Sequence, residues 1–219
     1  MTEDYTPALG RRELTGLYDL AIAGLTREAI WRRATLKALS PQPHETIVDL
    51  GAGTGSLALM VKRACPEAQV VAADPDPAVR EIAERKARHQ GLQITFETAM
   101  GDAELETVKP GQADAVVCTL VLHQCPDPMK RAILANVSRL LRPGGRLILT
   151  DYGRPSGPFT ALGFLMVRFL DGFESTRLNM RGGLPGLIEA AGLGAAENLA
   201  AIRTPTGRIQ VWRAWRPMT

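Results

Sequence analysis

Apolar and polar positions change rhythm along this chain in a regular way. Short apolar runs alternate with longer stretches whose apolar residues recur every third or fourth position. The first pattern suits buried strands and the second amphipathic helices; their alternation predicts parallel strands joined by crossover helices. Residues 8–39 read as one helical segment, stopped by the prolines of Ser40-Pro41-Gln42-Pro43. Strands are expected over 46–50, 69–73, 93–98, 113–119 and 146–150. Helices are expected over 56–64 and from Asp76-Pro77 to about Gln90, where Gly91 suits the C-terminal cap. A further helix follows Asp127-Pro128, with Ile133, Leu134, Val137, Leu140 and Leu141 on one face. Pro143-Gly144-Gly145 reads as a turn.

After Asp151 the rhythm is lost. A loop at 153–158 leads into the nearly all-apolar stretch 159–170, then a short helix at 183–191. Two last strands, 195–203 and 208–215, flank the turn Thr204-Pro205-Thr206-Gly207 and predict an antiparallel hairpin at a sheet edge. No internal repeat stands out.

The chain's 219 residues fit one domain with a sizeable core. Apolar residues at 45% and charged residues at 22% exclude a fully disordered chain. Cys65, Cys118 and Cys125 form no C-x-x-C pair, which argues against a zinc ribbon or disulfide scaffold and for a reducing, cytoplasmic setting. The N-terminus lacks the basic and apolar regions of a signal peptide, and the longest uncharged stretch, 155–167, is too short to span a bilayer. A net charge of +3 is too mild to argue for nucleic acid.

Chemistry concentrates at the strand ends. Ile47-Val48-Asp49-Leu50-Gly51-Ala52-Gly53-Thr54-Gly55 sits at a strand-to-helix turn, where glycines let a ligand approach the backbone and free N–H groups favour an anion. A dinucleotide fingerprint would place its third glycine at position 56, which is Ser56, so NAD is the weaker reading. Asp74, at the end of the second strand, can accept two hydrogen bonds from a ribose diol, or merely cap the next helix; Asp76 suits that second task better. Gly101-Asp102-Ala103 follows the third strand and offers a carboxylate to an amine, although Gly-Asp is also a common turn. The segment from Cys118 through Thr119, Leu120 and His123 to Pro128 follows the fourth strand and should border the ligand crevice.

These segments, in this order over about residues 46–151, resemble the motifs of the class I S-adenosylmethionine-dependent methyltransferases. Within that family the chain is most similar to small-molecule enzymes of the type that methylates ubiquinone and menaquinone precursors. The resemblance implies an α/β, Rossmann-like, doubly wound seven-stranded sheet, mostly parallel, with an antiparallel C-terminal hairpin strand and a helical cap. It divides a single domain into an N-terminal helical lid at 1–43, a cofactor-binding core at 44–151, a helical cap at 152–194 and C-terminal strands at 195–219. It also implies S-adenosyl-L-methionine as cofactor, held by Asp49, Gly51, Ala52, Gly53, Thr54, Gly55, Asp74, Pro75, Gly101, Asp102, Ala103, Thr119 and Leu120. The resemblance makes Tyr18 a candidate lid contact, and Arg32 either pairs with the methionine carboxylate or belongs to a solvated basic face.

His123 is the candidate general base, with loop packing as the plainer role. No metal is expected, since His123 and Cys125 supply only two ligands. The 159–170 stretch allows three readings: core packing, an apolar substrate pocket, or contact with a membrane surface. The expected partner is a small, apolar or aromatic methyl acceptor, with no nucleic acid and no transmembrane segment; a homodimer is left open. Methylation of an amine or lipid headgroup is the rival reaction, and a non-catalytic S-adenosylmethionine-binding subunit the more distant rival.

Overall fold

The structure is a computed structural model that describes residues 26–218. Seven strands form one sheet in the order β3-β2-β1-β4-β5-β7-β6. They are β1 (Thr46–Leu50), β2 (Gln69–Asp74), β3 (Thr95–Thr98), β4 (Ala113–Thr119), β5 (Leu141–Tyr152), β6 (Glu197–Thr204) and β7 (Gly207–Trp215). The first five run parallel, and β7 pairs antiparallel with both β5 and β6, as the sequence pattern predicts. The chain moves outward from β1 to β3, then crosses to the other side of β1 to place β4. The carboxyl ends of β1 and β4 therefore flank the point where strand order reverses, the place where open α/β sheets bind ligands.

The helices are α1 (Glu28–Leu39), α2 (Ser56–Ala64), α3 (Pro77–His89), α4 (Asp127–Leu140), α5 (Pro158–Asp171), α6 (Arg177–Arg181) and α7 (Leu184–Ala190). Alternate residues of the strands feed two apolar layers. Val48, Val71, Val116 and Leu147 pack with α4 and α7, while Ile47, Val70, Val117 and Ile148 pack with α1 and α2. A third cluster joins Trp31, Tyr152, Phe164, Val167 and Ile209, and seats α1 and α5 near the site end of the sheet. Arg146, buried in β5, donates to Leu39 O at the end of α1 and pairs with Glu45, which locks α1 onto the sheet.

Several boundaries differ from the sequence reading. The long N-terminal helix does not run unbroken to 39: Thr26 and Arg27 form a turn, with Arg27 left-handed at φ 53°, and α1 starts only at Glu28. Residues 8–25 of that helix lie outside the described residues. Pro143-Gly144-Gly145 is not a turn before β5 but an irregularity within it, where pairing with β4 jumps from Leu141 to Arg146. β5 also extends to Tyr152, so Asp151 is a strand residue. Asp76 caps α3 as expected, accepting from Ala78 N at 2.8 Å, whereas Asp127 is the first residue of α4 and caps nothing. The short helix α6 had no sequence signal strong enough to be read.

Candidate active site

β1 delivers the glycine loop to the switch point, and backbone geometry explains its three glycines. Gly51, Gly53 and Gly55 take φ of 71°, 53° and 73°, left-handed values that favour residues without a side chain. A Cβ on Gly51 would lie 2.2 Å from Val121 Cγ2, and one on Gly55 would lie 2.8 Å from Ala83 Cβ. A Cβ on Gly53 would meet nothing within 4 Å. Two glycines thus serve close packing, and the middle one keeps its side of the crevice open.

The loop's N–H groups are less free than the sequence suggests. Gly51 N and Ala52 N donate to Ala73 O, Gly55 N donates to Ala52 O, and Gly53 N donates to Asp74 Oδ2 at 2.8 Å. Thr54 is gripped by Lys86, whose Nζ donates to its hydroxyl at 2.8 Å. The loop is therefore rigid before any ligand arrives, which lowers the entropy cost of binding. Asp74 stands at the carboxyl end of β2, as predicted, and does two things at once. It accepts from Gly53 N and Asp76 N while its half-buried carboxylate remains beside the crevice. Pro75 follows it at the start of the turn into α3. Burial, above all, raises the Asp74 pKa.

Asp49 is the least comfortable group in the site. It lies within β1, 1% exposed, and neither carboxylate oxygen has a hydrogen-bond partner among the described residues. Burial pushes its pKa up to about 7; Arg32 pulls it down, Asp74 pushes it further up, and the backbone N–H of Ala58, too far or too bent for a full hydrogen bond, pulls it down least. Arg32 is itself paired with Glu28 at 2.6 Å and lies over the Trp31 ring. An unpaired buried carboxylate costs stability unless a cationic or hydrogen-bonding group joins it. Of the remaining candidates, Gly101, Asp102 and Ala103 form a turn held by Asn136 of α4, whose Nδ2 donates to Gly101 O and Ala103 O at 2.8 Å each. That clamp leaves Asp102 exposed. Thr119 ends β4, and Leu120 takes a left-handed φ of 55° while donating its N–H to Thr150 O. Strain of this kind in a residue with a side chain turns the following segment across the crevice. Tyr18 lies outside the described residues.

His123, in the one-turn 3₁₀ helix Leu122–Gln124, is buried rather than exposed on a loop. Its Nδ1 is 2.9 Å from Asp151 Oδ1, and Nε2 is 3.5 Å from Asp171 Oδ2 at the end of α5. The ring meets Tyr152 edge-on at 4.9 Å. Asp151 is held in turn by the N–H groups of Leu122 and Tyr152 and, at longer range, by His123 N and Asn179 Nδ2. These donors fix the orientation of its carboxylate. Burial opposes charge on His123, yet the Asp151 carboxylate and its hydrogen bond, with Asp171, outweigh it and raise the His123 pKa above its ordinary value of 6.5. Asp151 and Asp171 were not read from the sequence as site residues. Asp151 carried a usable signal, since it lies at the carboxyl-terminal end of the fifth strand, next to its last residue, much as Asp74 lies at the end of the second; Asp171 carried none, because only the packing of α5 brings it near. Cys125 makes no metal cluster, and none occurs among the described residues. Its thiol is held up at about 11, chiefly by burial, which makes it a poor nucleophile.

Comparison with known proteins agrees with this geometry. Residues 47–145 match the family model described as a methyltransferase domain. The demethylmenaquinone methyltransferase of Thermus thermophilus is 33% identical over 204 residues, covering 89% of each chain. The ubiquinone/menaquinone biosynthesis C-methyltransferase of Acidiphilium cryptum is 29% identical over 152 residues, 69% of this chain and 58% of that one. Among solved structures, a SAM-dependent methyltransferase of Methanosarcina mazei shares the fold with a TM-score of 0.65 and 20% identity, covering 82% of this chain and 95% of that one. Fold and site together define a Rossmann-like methyltransferase whose cofactor is S-adenosylmethionine. The chain belongs to the S-adenosylmethionine-dependent methyltransferases of the ubiquinone–menaquinone type. The residues present fit that cofactor: an open cradle at Gly53, a strand-end carboxylate at Asp74 and a buried carboxylate at Asp49 that lacks a partner.

Proposed function

We propose that this enzyme methylates the ring of a hydroquinone or related phenol, with His123 as general base. The observation that carries this reading is the His123–Asp151 pair, 2.9 Å apart, at the carboxyl ends of β4 and β5. The names of the relatives from Thermus thermophilus and Acidiphilium cryptum support a quinol-type acceptor and methylation at carbon.

When bound, S-adenosylmethionine supplies a sulfonium methyl group ready for in-line displacement. The protein's work is then to position the acceptor and manage its proton. Asp49, the Gly51-to-Gly55 loop, Asp74 with Pro75, Asp102 on its clamped turn, Thr119 and Leu120 hold the cofactor. Arg32 stays close to Asp49 from α1. Asp151 accepts a hydrogen bond from His123 Nδ1–H, which leaves Nε2, on the side facing Asp171, as the basic atom. Nε2 takes the proton of an acceptor hydroxyl, the resulting phenolate makes the adjacent ring carbon a better nucleophile, and the hydrogen displaced from that carbon as it takes the methyl group returns as a proton to the phenolate oxygen, restoring the aromatic ring. Alignment of donor and acceptor accounts for about 7–11 kcal/mol of the barrier in reactions of this kind.

The test is an acceptor screen by mass spectrometry, with reduced naphthoquinols, simple phenols and primary amines. Methylated quinol at carbon supports the reading. Methylated amine with unmethylated quinol overturns it.

A further inference from the structure

α5 is built backwards for a helix that merely covers a core. Of its apolar residues only Phe164 and Val167 are buried, beside Thr160. Phe159, Leu162, Met166, Phe169 and Leu170 face outward, and Phe173 continues the stripe beyond the helix end. Phe159 is 88% exposed and Phe169 71%. Positions 159, 162, 166, 169 and 173 recur every three or four residues, so they form one continuous stripe. Leu162, Leu165, Met166, Phe169 and Leu170 line a shallow trough of about 330 Å³ on it. An exposed apolar surface of this extent marks an interaction site.

The charges around it say which kind. α5 itself carries Arg168, and the segments bordering it carry Arg154, Arg177, Arg181, Arg203 and Arg208. Arg168 stacks over the Phe173 ring at 4.6 Å, and Arg154 packs against Gly182 beside α6. Arg203 and Arg208 face each other across the β6–β7 hairpin, whose turn carries Pro205 O onto Gly163 of α5. Against these six stand two acids, Asp171, which faces His123, and Glu174, which pairs with Arg177. A second copy of this chain docked face to face would bring arginine against arginine. A surface that is apolar within and anionic at its boundary satisfies both features.

We infer that the exposed face of α5, with its arginine rim, docks onto an anionic lipid bilayer, lying in the interface with its apolar stripe among the acyl chains. No described helix is long and apolar enough to cross a membrane, so this contact is peripheral. The surface stands on the cap alone and is independent of the acceptor proposed above.

The experiment is sedimentation of the full chain with sucrose-loaded vesicles, either phosphatidylcholine alone or equimolar phosphatidylcholine and phosphatidylglycerol. The wild type is expected to bind the anionic vesicles at least about tenfold more tightly, and the double variant Leu162→Ser with Phe169→Ser to lose about tenfold at unchanged thermal midpoint. A Phe169→Cys variant carrying a polarity-sensitive fluorophore is expected to shift to the blue only when anionic vesicles are added. Three results would each overturn the inference: no vesicle binding by the wild type, equal binding by the double variant, or a fluorophore already blue-shifted in lipid-free protein. The last would assign the face to protein, whether a second copy or residues 1–25.

Discussion

A carboxyl group buried without a partner makes the ligand-free protein less stable than its fold allows. Asp49 titrates near 7 in the folded chain and near 3.8 in a solvated one. Its folded pKa is the higher, so the stability it permits is present at acid pH and lost as pH rises from about 4 through about 7. That loss is on the order of 4 kcal/mol above neutrality. Asp49→Asn is therefore expected to raise the thermal midpoint of ligand-free protein at pH 8, while weakening S-adenosylhomocysteine binding at least about tenfold, or 1.4 kcal/mol. Calorimetry and thermal melts on the same samples check both halves; a variant that is neither stabler nor weaker in binding removes Asp49 from the cofactor's contacts. The glycines make a matching contrast. Gly51→Ala meets Val121 at a left-handed position and should cost stability by roughly 1–3 kcal/mol. Gly53→Ala has open space and should fold, yet bind the cofactor poorly, which a urea melt and a binding titration separate.

Between elements, polar ties decide how the cap meets the core. Lys130 of α4 is fully buried; its Nζ donates to Cys125 O at 2.8 Å, to Asp127 at 3.3 Å and to Ser175 O beyond the end of α5. Lys130→Met leaves those carbonyls unpaired and should cost about 3 kcal/mol. Amide exchange should rise first in the 172–183 segment, which this side chain holds to α4; uniform exchange changes would make Lys130 a core residue only. These ties also mark where sequence reading stopped. β1, β2, β4, α2 and α3 were legible because periodicity, Asp76-Pro77 and the glycine turn agree within each segment. Asp74 and the 101–103 turn were legible by position in the chain. Asp171 and Asn179 were not, since their meeting with His123 and Asp151 depends on packing between α5, α6 and β5. The 159–170 stretch was ambiguous for the same reason: apolar composition alone does not separate core, pocket and surface contact, and only the packing of α5 shows that Phe159, Leu162, Phe169 and Leu170 lie outside the core.

At the scale of the whole molecule, the sheet brings donor and acceptor chemistry to one end. β1 and β2 carry Asp49 and Asp74, proposed here to hold the cofactor, β4 and β5 lead to His123 and Asp151, and the end of α5 brings Asp171 to 3.5 Å from His123 Nε2. His123 must be neutral to accept a proton, and its pKa lies above 6.5, so turnover should rise with pH through that value. The opposite sign holds for stability: the charged imidazole interacts favourably with both carboxylates, so its contribution is present at low pH and lost as pH rises through the same pKa. The decisive comparison is the pH dependence of single-turnover methyl transfer to a naphthoquinol by wild type and His123→Ala, with S-adenosylhomocysteine affinity measured alongside. A wild-type rate that climbs with pH through a midpoint above 6.5, and a variant that binds cofactor normally but is slowed at least about a hundredfold with that midpoint gone, is the expected result. A variant that turns over at the wild-type rate with the same pH dependence would contradict it and leave His123 as packing beneath the site.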